Sequence, residues 1–331
     1  MKNMNLLKKH TGALSAFALG CMLVNVTGAD LLVFGDGPQH SIMSAELDGS
    51  NPAVFVDFSV YPSSSKAGNP DPSPKGMDSD ASYVYWVDSQ RDAVYRAGLD
   101  GSSPEILINE SSLPEGSGAP GNFAGEDLAV NATHIFWADS TQNCIYKADI
   151  DGSNPLVLVD QSAMPMASGG QTTFNPKGID VDASYVYWTD TTQDSVYRAD
   201  LDGSNPQVLV DLSTIPLSSN MSSSANPGGL EVTTTHIYWA EATRDSIYRA
   251  NLNGSSPIVL IDIMNIPDSS VGTSHSPNDV KLDDTHIYWT DVPQNSVFRA
   301  EHSGANPTVL VDDANIPDVP AASATGNHLP Q

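Results

Sequence analysis

A period of about 51 residues runs through this chain and limits its possible folds more than any other feature. The copies align on the acidic residue that ends each one. They are Val33-Phe34-Gly35-Asp36, Tyr85-Trp86-Val87-Asp88, Phe136-Trp137-Ala138-Asp139, Tyr187-Trp188-Thr189-Asp190, Tyr238-Trp239-Ala240-Glu241 and Tyr288-Trp289-Thr290-Asp291. Successive copies lie 52, 51, 51, 51 and 50 residues apart, and all five tryptophans fall at one repeat position. A fixed period of this size marks a repeat architecture, in which each unit buries its faces against its neighbours.

Each unit divides into four short strands. In the fourth copy, Ile179-Asp180-Val181 precedes the strand Tyr185 to Thr189, and Ser195-Val196-Tyr197-Arg198-Ala199 follows. The turn Asp202-Gly203-Ser204-Asn205-Pro206 then leads into Gln207-Val208-Leu209-Val210. These runs are β-branched and aromatic and are bounded by Gly, Pro, Asn and Asp, the signature of strands and hairpins. On the second strand Val186 and Trp188 point to one face, and Tyr185, Tyr187 and Thr189 to the other. Both faces are bulky and both need covering. A sheet covered on both sides by copies of itself is a propeller blade, so six units predict an all-β, six-bladed β-propeller of four-stranded antiparallel blades.

The repeats resemble the YWTD (LDL-receptor class B) family. The shared residues are Pro176-Lys177-Gly178-Ile179, Tyr187-Trp188-Thr189-Asp190 and Val196-Tyr197-Arg198-Ala199-Asp200-Leu201-Asp202-Gly203-Ser204. The resemblance covers roughly residues 31–312 and implies a six-bladed propeller. Two departures stand out: the first copy lacks the Tyr-Trp pair, and the period is longer than is usual in that family.

One propeller uses up 331 residues, with 30–318 as its expected span. The formal charge is −26, from 14 basic and 40 acidic residues. That field repels phosphate backbones and anionic lipid surfaces, so nucleic acid is not an expected partner. Residues 1–29 read as an export signal, with Lys2, Lys8 and Lys9 ahead of an apolar stretch too short for a membrane span. The cut falls either after Ala29 or near Gly20. The mature chain is expected to be secreted, periplasmic or at the cell surface, monomeric and without an integral membrane span. Ala18-Leu19-Gly20 before Cys21 loosely resembles a lipoprotein box, which makes lipid anchoring at Cys21 a minor alternative. Residues 319–331 read as an irregular tail.

No zinc spacing, nucleophile elbow, phosphate loop or dinucleotide fingerprint occurs, and no catalytic residue is assigned. The Asp-Gly-Ser-Asn segments faintly resemble calcium loops but lack the ligand set; Asp-Gly between strands is a hairpin turn. Asp88, Asp139, Asp190, Glu241 and Asp291 recur in every full copy with Trp86, Trp137, Trp188, Trp239 and Trp289. Such repetition points to a structural job, either accepting backbone N–H bonds or pairing with a third-strand Arg or Lys. The candidate binding residues are the inner-strand acids Asp78, Asp127, Asp180, Glu231 and Asp279, whose placement varies between copies as that of a channel site would. No cofactor is assigned, with a divalent cation such as calcium left open.

The functional expectation is an exported, non-catalytic binding or scaffold module. It recognises a protein or carbohydrate partner through a face built of the long, dissimilar loops 63–73, 115–125, 167–173 and 218–225. The alternative is a calcium-type hydrolase, lactonase or lyase acting at the central channel. One further expectation concerns the leader. Five inner strands centre on Met77, Leu128, Ile179, Leu230 and Val280, each 11 residues before its Asp or Glu. The same spacing puts a sixth at Asn25, within Val24-Asn25-Val26-Thr27.

Overall fold

The computed structural model describes residues 21–26, 29–36, 41–57, 61–62, 72–118, 123–168, 172–270 and 273–316. Residues 1–20, most of loop 63–73, the middles of loops 115–125 and 167–173, and residues 319–331 lie outside the described residues.

Six four-stranded antiparallel sheets follow one another, each with its strands in chain order. Blade 4 is typical: Pro176–Val181 is the inner strand, followed by Tyr185–Asp190, Ser195–Asp200 and the outer strand Gln207–Asp211. Neighbouring inner strands contact one another around a closed ring, the first against the sixth. Arg299 Nη1 donates to Leu47 O at 2.8 Å across that last seam.

The second strand explains why the blades stack. Trp188 pairs with Tyr197 across the sheet, and their rings stack at 5.5 Å and 10°. Trp188 packs against Phe136, Ala138 and Ile145 of blade 3. Tyr187, on the opposite face, packs against Leu230 and Trp239 of blade 5. Every tryptophan is fully buried. Each aromatic removes on the order of 150–250 Å² from water, so the period-2 pattern drives both folding of a blade and its docking on two neighbours.

Blade 1 departs from the predicted register. Its inner strand is Cys21–Val26, and the residue opposite Phe34 is Cys21 rather than Asn25. In other blades an Asp, Asn or Thr ends the first hairpin early: Asp80 Oδ1 accepts from Ser82 N and Tyr83 N, Asp182 Oδ1 from Ser184 N and Tyr185 N, and Thr233 Oγ1 from His236 N. Such side chains cap a turn by mimicking backbone acceptors. Val24 stands at that place in blade 1 and offers no acceptor. Pairing therefore runs on to Asn25↔Asp30 and Val26↔Ala29. The first strand among the described residues, Cys21–Val26, lies inside the stretch read as leader.

The Asp-Gly segments are tight turns. Gly203 has φ +83°, and a Cβ there would lie 2.2 Å from Leu158 O of blade 3. Asp202 Oδ1 accepts from Ser204 N at 2.9 Å, and Asp200 Oδ2 from Asn205 Nδ2 at 2.7 Å.

Candidate functional site

The inner strands enter the channel directly after the blade-to-blade segments, and their side chains alternate between the core and the next blade. The acids named from sequence lie on the second of these faces. Asp78 Oδ2 accepts from Val130 N of blade 3 at 2.8 Å. Asp127 Oδ2 accepts from Ile179 N of blade 4 at 3.0 Å. Asp180 Oδ2 accepts from Val232 N of blade 5 at 2.7 Å. In each, the other oxygen accepts from the next residue of its own strand, Ser79, Leu128 or Val181. Asp279 Oδ1 does the same with Val280 N at 2.9 Å. Three carboxylates thus tie three successive seams of the ring through charge-assisted bonds to neighbouring backbone.

The fourth tie is an ion pair. Glu231 Oε2 lies 3.1 Å from Lys281 Nζ of blade 6, with side chains 22% and 8% exposed. Lys281 is the central charge of the cluster. Burial pulls its ammonium down, yet Glu231, Asp279, Asp127 and Asp180 together hold it well above the usual lysine range. Burial pushes the carboxyls of Asp78, Asp127, Asp180 and Glu231 up, and Lys281 opposes that push in all four. The five acids predicted from sequence are therefore brought together, around a lysine that the sequence reading did not name as a site residue. Its signal was there: a lone base at the position that Asp78, Asp180 and Glu231 fill in other blades.

Glycines make room for the ties. A Cβ on Gly76 or on Gly229 would lie 1.8 Å from Asp127 Oδ1 or Asp279 Oδ1 respectively. At this repeat position, which reads Gly76, Asp127, Gly178, Gly229 and Asp279, a glycine thus precedes each aspartate and leaves room for its carboxylate.

At the channel mouth nearer the long loops stand Lys75, Glu126 and Lys177. Lys75 Nζ pairs with Glu126 Oε2 at 2.7 Å, and Ser140 Oγ, from the loop after the second strand of blade 3, donates to Glu126 Oε1 at 2.8 Å. Burial draws the Lys177 ammonium down. Blades 5 and 6 carry Gly228 and Asn278 at the same strand position, so among the described residues its charged side chains come from blades 2, 3 and 4.

The strand-end acids hold the loops of that same face. Asp190 Oδ1 accepts from Thr192 N and Gln193 N at 3.0 and 2.8 Å, and Oδ2 from Asn175 N at 2.9 Å. Asp139 repeats the pattern with Thr141, Gln142 and Ala124, and Asp88 with Gln90, Arg91 and Ser73. Asp291 accepts from Ser276 N and lies 3.0 Å from His275 Nδ1. Burial raises Asp190 to about 6 and Glu241 to about 7. The basic residues of the third strands go elsewhere, Arg96 to Glu105 and Lys147 to Leu201 O.

The residue three beyond each of these acids ties down the incoming blade-to-blade loop. Gln142 Oε1 accepts from Gly116 N, Gln193 Oε1 from Ala167 N, and Gln294 Oε1 from Ser269 N. A cleft of about 340 Å³ opens on this face, lined by Glu110, Leu113, Pro114, Phe123, Gln142 and Tyr146. Among the described residues, no group of three or more His, Cys, Asp or Glu is arranged to hold a metal. No helix among them is long and apolar enough to cross a membrane.

No protein-family model matches the chain. Protein cueball of Drosophila yakuba is 32% identical over 229 residues, 66% of this chain and 31% of the fly protein. Protein cueball of Drosophila erecta is 28% identical over 56% of this chain and 27% of its own length, so the chain matches about a third or less of these relatives. A chain from a nidogen–laminin complex superposes with a TM-score of 0.61 at 22% identity, covering 84% of this chain and 91% of that one. A streptogramin B lyase superposes at 0.54 with 13% identity, covering 89% and 85%. At such identities the structural likenesses speak for the fold alone. The chain is a six-bladed β-propeller related to the YWTD, or LDL-receptor class B, propellers.

Proposed function

We propose that this chain is an exported, non-catalytic recognition propeller that docks a protein partner on its long-loop face, over the channel mouth. One observation carries the choice of face. The three most exposed large apolar side chains among the described residues, Met264, Met221 and Met166, all belong to blade-to-blade segments. Met221 is 72% exposed with φ +59°, on a loop pinned from several sides. Ser218 Oγ donates to Arg244 O at 2.6 Å, Asn220 Nδ2 to Thr243 O at 2.9 Å, and Ser219 N to Asp262 Oδ2 at 2.8 Å. A rigid loop presenting an exposed apolar side chain suits a protein interface, whose centre is apolar and whose ordering cost is low when the loop is held in advance. The opposite face carries only short turns between adjacent strands, those at Gly101, Gly152, Gly203, Gly254 and Gly304 sharing one backbone shape, and such turns offer little to distinguish partners.

The channel acids support binding over hydrolysis or elimination. Both oxygens of Asp78, Asp127 and Asp180 are engaged by backbone N–H groups, and Glu231 is paired with Lys281. A metal-dependent reaction would require unlike carboxylate and amide ligands free to meet at one point. The shared fold with a chain crystallised in a nidogen–laminin complex favours a protein partner over a carbohydrate.

The reading is tested by photo-crosslinking the natively exported protein through probes at Met166, Met221 and Met264, with probes at Ser153 and Ser204 as opposite-face controls. Adducts of one partner from the loop probes alone are expected. Adducts from the turn probes alone would overturn the choice of face.

A further inference from the structure

Six blades on one plan allow one blade to serve as the control for another. In blade 2 the apolar plug at the incoming seam is Tyr61, which stacks on Tyr95 at 4.4 Å. Its hydroxyl accepts a hydrogen bond from Trp86 Nε1 and donates to Asp88 Oδ2 at 3.3 Å. The indole and the strand-end carboxylate, two residues apart on one face of the strand, are thus bridged by a single oxygen.

Blades 3, 4, 5 and 6 put Leu113, Met164, Ile215 and Ile266 at the plug position, each packed in the cluster that holds its tryptophan. None of these carries a hydroxyl. In all four blades the buried indole Nε1, of Trp137, Trp188, Trp239 and Trp289, has no hydrogen-bond partner. Blade 1 pairs an aliphatic plug, Ile316, with Phe34, which has no N–H to satisfy. The indole is partnered where the plug has a hydroxyl and unpartnered in every blade where it does not.

Blade 5 takes the pattern furthest. Glu241 Oε2 and Arg244 Nη1 are also buried without a partner. The rest of the Arg244 guanidinium is held, Nη2 by Leu212 O at 2.9 Å and Nε by Ser224 O at 3.3 Å. Its Cζ lies 5.8 Å from the ring of Tyr248, which stacks on Trp239. Blade 2 has the same arginine position, with Arg91 Cζ 4.7 Å from the Tyr61 ring. Two orphan donors and one orphan acceptor thus belong to Trp239, Arg244 and Glu241, the residues at the repeat positions of Trp86, Arg91 and Asp88, which stand around the tyrosine hydroxyl in blade 2. Buried polar groups left unpaired are costly, and a water buried in a protein makes about three hydrogen bonds.

We propose that blade 5 binds a buried water at the place of the Tyr61 hydroxyl, and that blades 3, 4 and 6 each bind one between indole and strand-end carboxylate. In blade 5 the water accepts from Trp239 Nε1 and Arg244 Nη1 and donates to Glu241 Oε2. Blade 2 replaces it with a side chain.

A high-resolution crystal structure of the full chain, with and without Ile215→Tyr, tests this. The native map should show one peak within about 3.2 Å of the three blade 5 atoms. In the variant the phenol oxygen should replace that peak and the melting temperature should rise. A dry site, or Glu241 turned to accept directly from Trp239, would overturn the proposal. So would an anomalous peak there after a bromide soak, which would make the occupant an anion. If Ile215→Tyr fails to fold, the native map still decides. Tyr61→Phe should then admit a new water to blade 2, and a dry blade 2 in that variant counts against the mechanism.

Discussion

Replacing Lys281 by methionine keeps the aliphatic stem and removes the ammonium at the centre of the channel. Lys281 and Glu231 are 8% and 22% exposed and 3.1 Å apart. Deleting one partner of such a buried pair costs about 3–5 kcal/mol, because the other charge is left uncompensated. For a chain of this size that corresponds to a fall in Tm on the order of 10 °C. The loss should depend on pH, and the sign follows from the carboxyls. Burial raises the folded pKa of Asp78, Asp127, Asp180 and Glu231 above their unfolded values. The folded state therefore binds protons more tightly, and stability declines as pH rises through those folded values. Lys281 opposes this shift in all four, so its removal raises them further and extends the decline upward. Its own folded pKa is raised as well, so its contribution in the native protein is undiminished below the ordinary lysine range. Urea unfolding at about pH 5 and about pH 8 should give a deficit for Lys281→Met that is clearly larger at the higher pH, with the m-value unchanged. An equal deficit at both, or one below about 1 kcal/mol, would refute the role given to this lysine.

Gly229→Ala places a Cβ 1.8 Å from Asp279 Oδ1 and should cost about 1–3 kcal/mol by thermal melting; a neutral result would contradict the packing of blade 6 on blade 5. EDTA should leave the melting temperature unchanged, since the Asp-Gly turns satisfy their own carboxylates. A drop of several degrees would reveal a structural cation that binds only the native state. N-terminal sequencing of the exported protein should find a cut near Gly20, which keeps the inner strand Cys21–Val26; a mature chain starting at Asp30 with a fully formed blade 1 would argue against that strand's role.

The fold was legible because it is written six times. Trp86, Trp137, Trp188, Trp239 and Trp289 fix both the period and the register of the second strand, and no single-residue feature competes with them. The register of blade 1 was not legible. It depends on Val24 lacking the acceptor that Asp80 or Asp182 supplies, and a spacing argument cannot see a missing turn cap. The channel acids were legible as positions but not in their roles. Asp78, Asp127 and Asp180 each accept from a backbone N–H 52 residues on, in the next blade, and a backbone donor leaves no mark on sequence. Lys281 stands out less than the acids around it, although a base among acids at one repeat position is the trace a buried counter-charge leaves. The unpaired polar atoms of blade 5 are even less visible in sequence, since they depend on Ile215 standing where blade 2 has Tyr61 and on where Arg244 turns.

The face of the ring that meets a partner decides the function of this propeller. Photo-crosslinking from Met221 and Met264, read by mass spectrometry beside probes at Ser153 and Ser204, separates the two faces in one experiment. Adducts to one protein from the loop positions, lost when two long loops are shortened while the melting temperature holds, are what this account predicts. Adducts confined to the Asp-Gly turns, untouched by loop shortening, would contradict it.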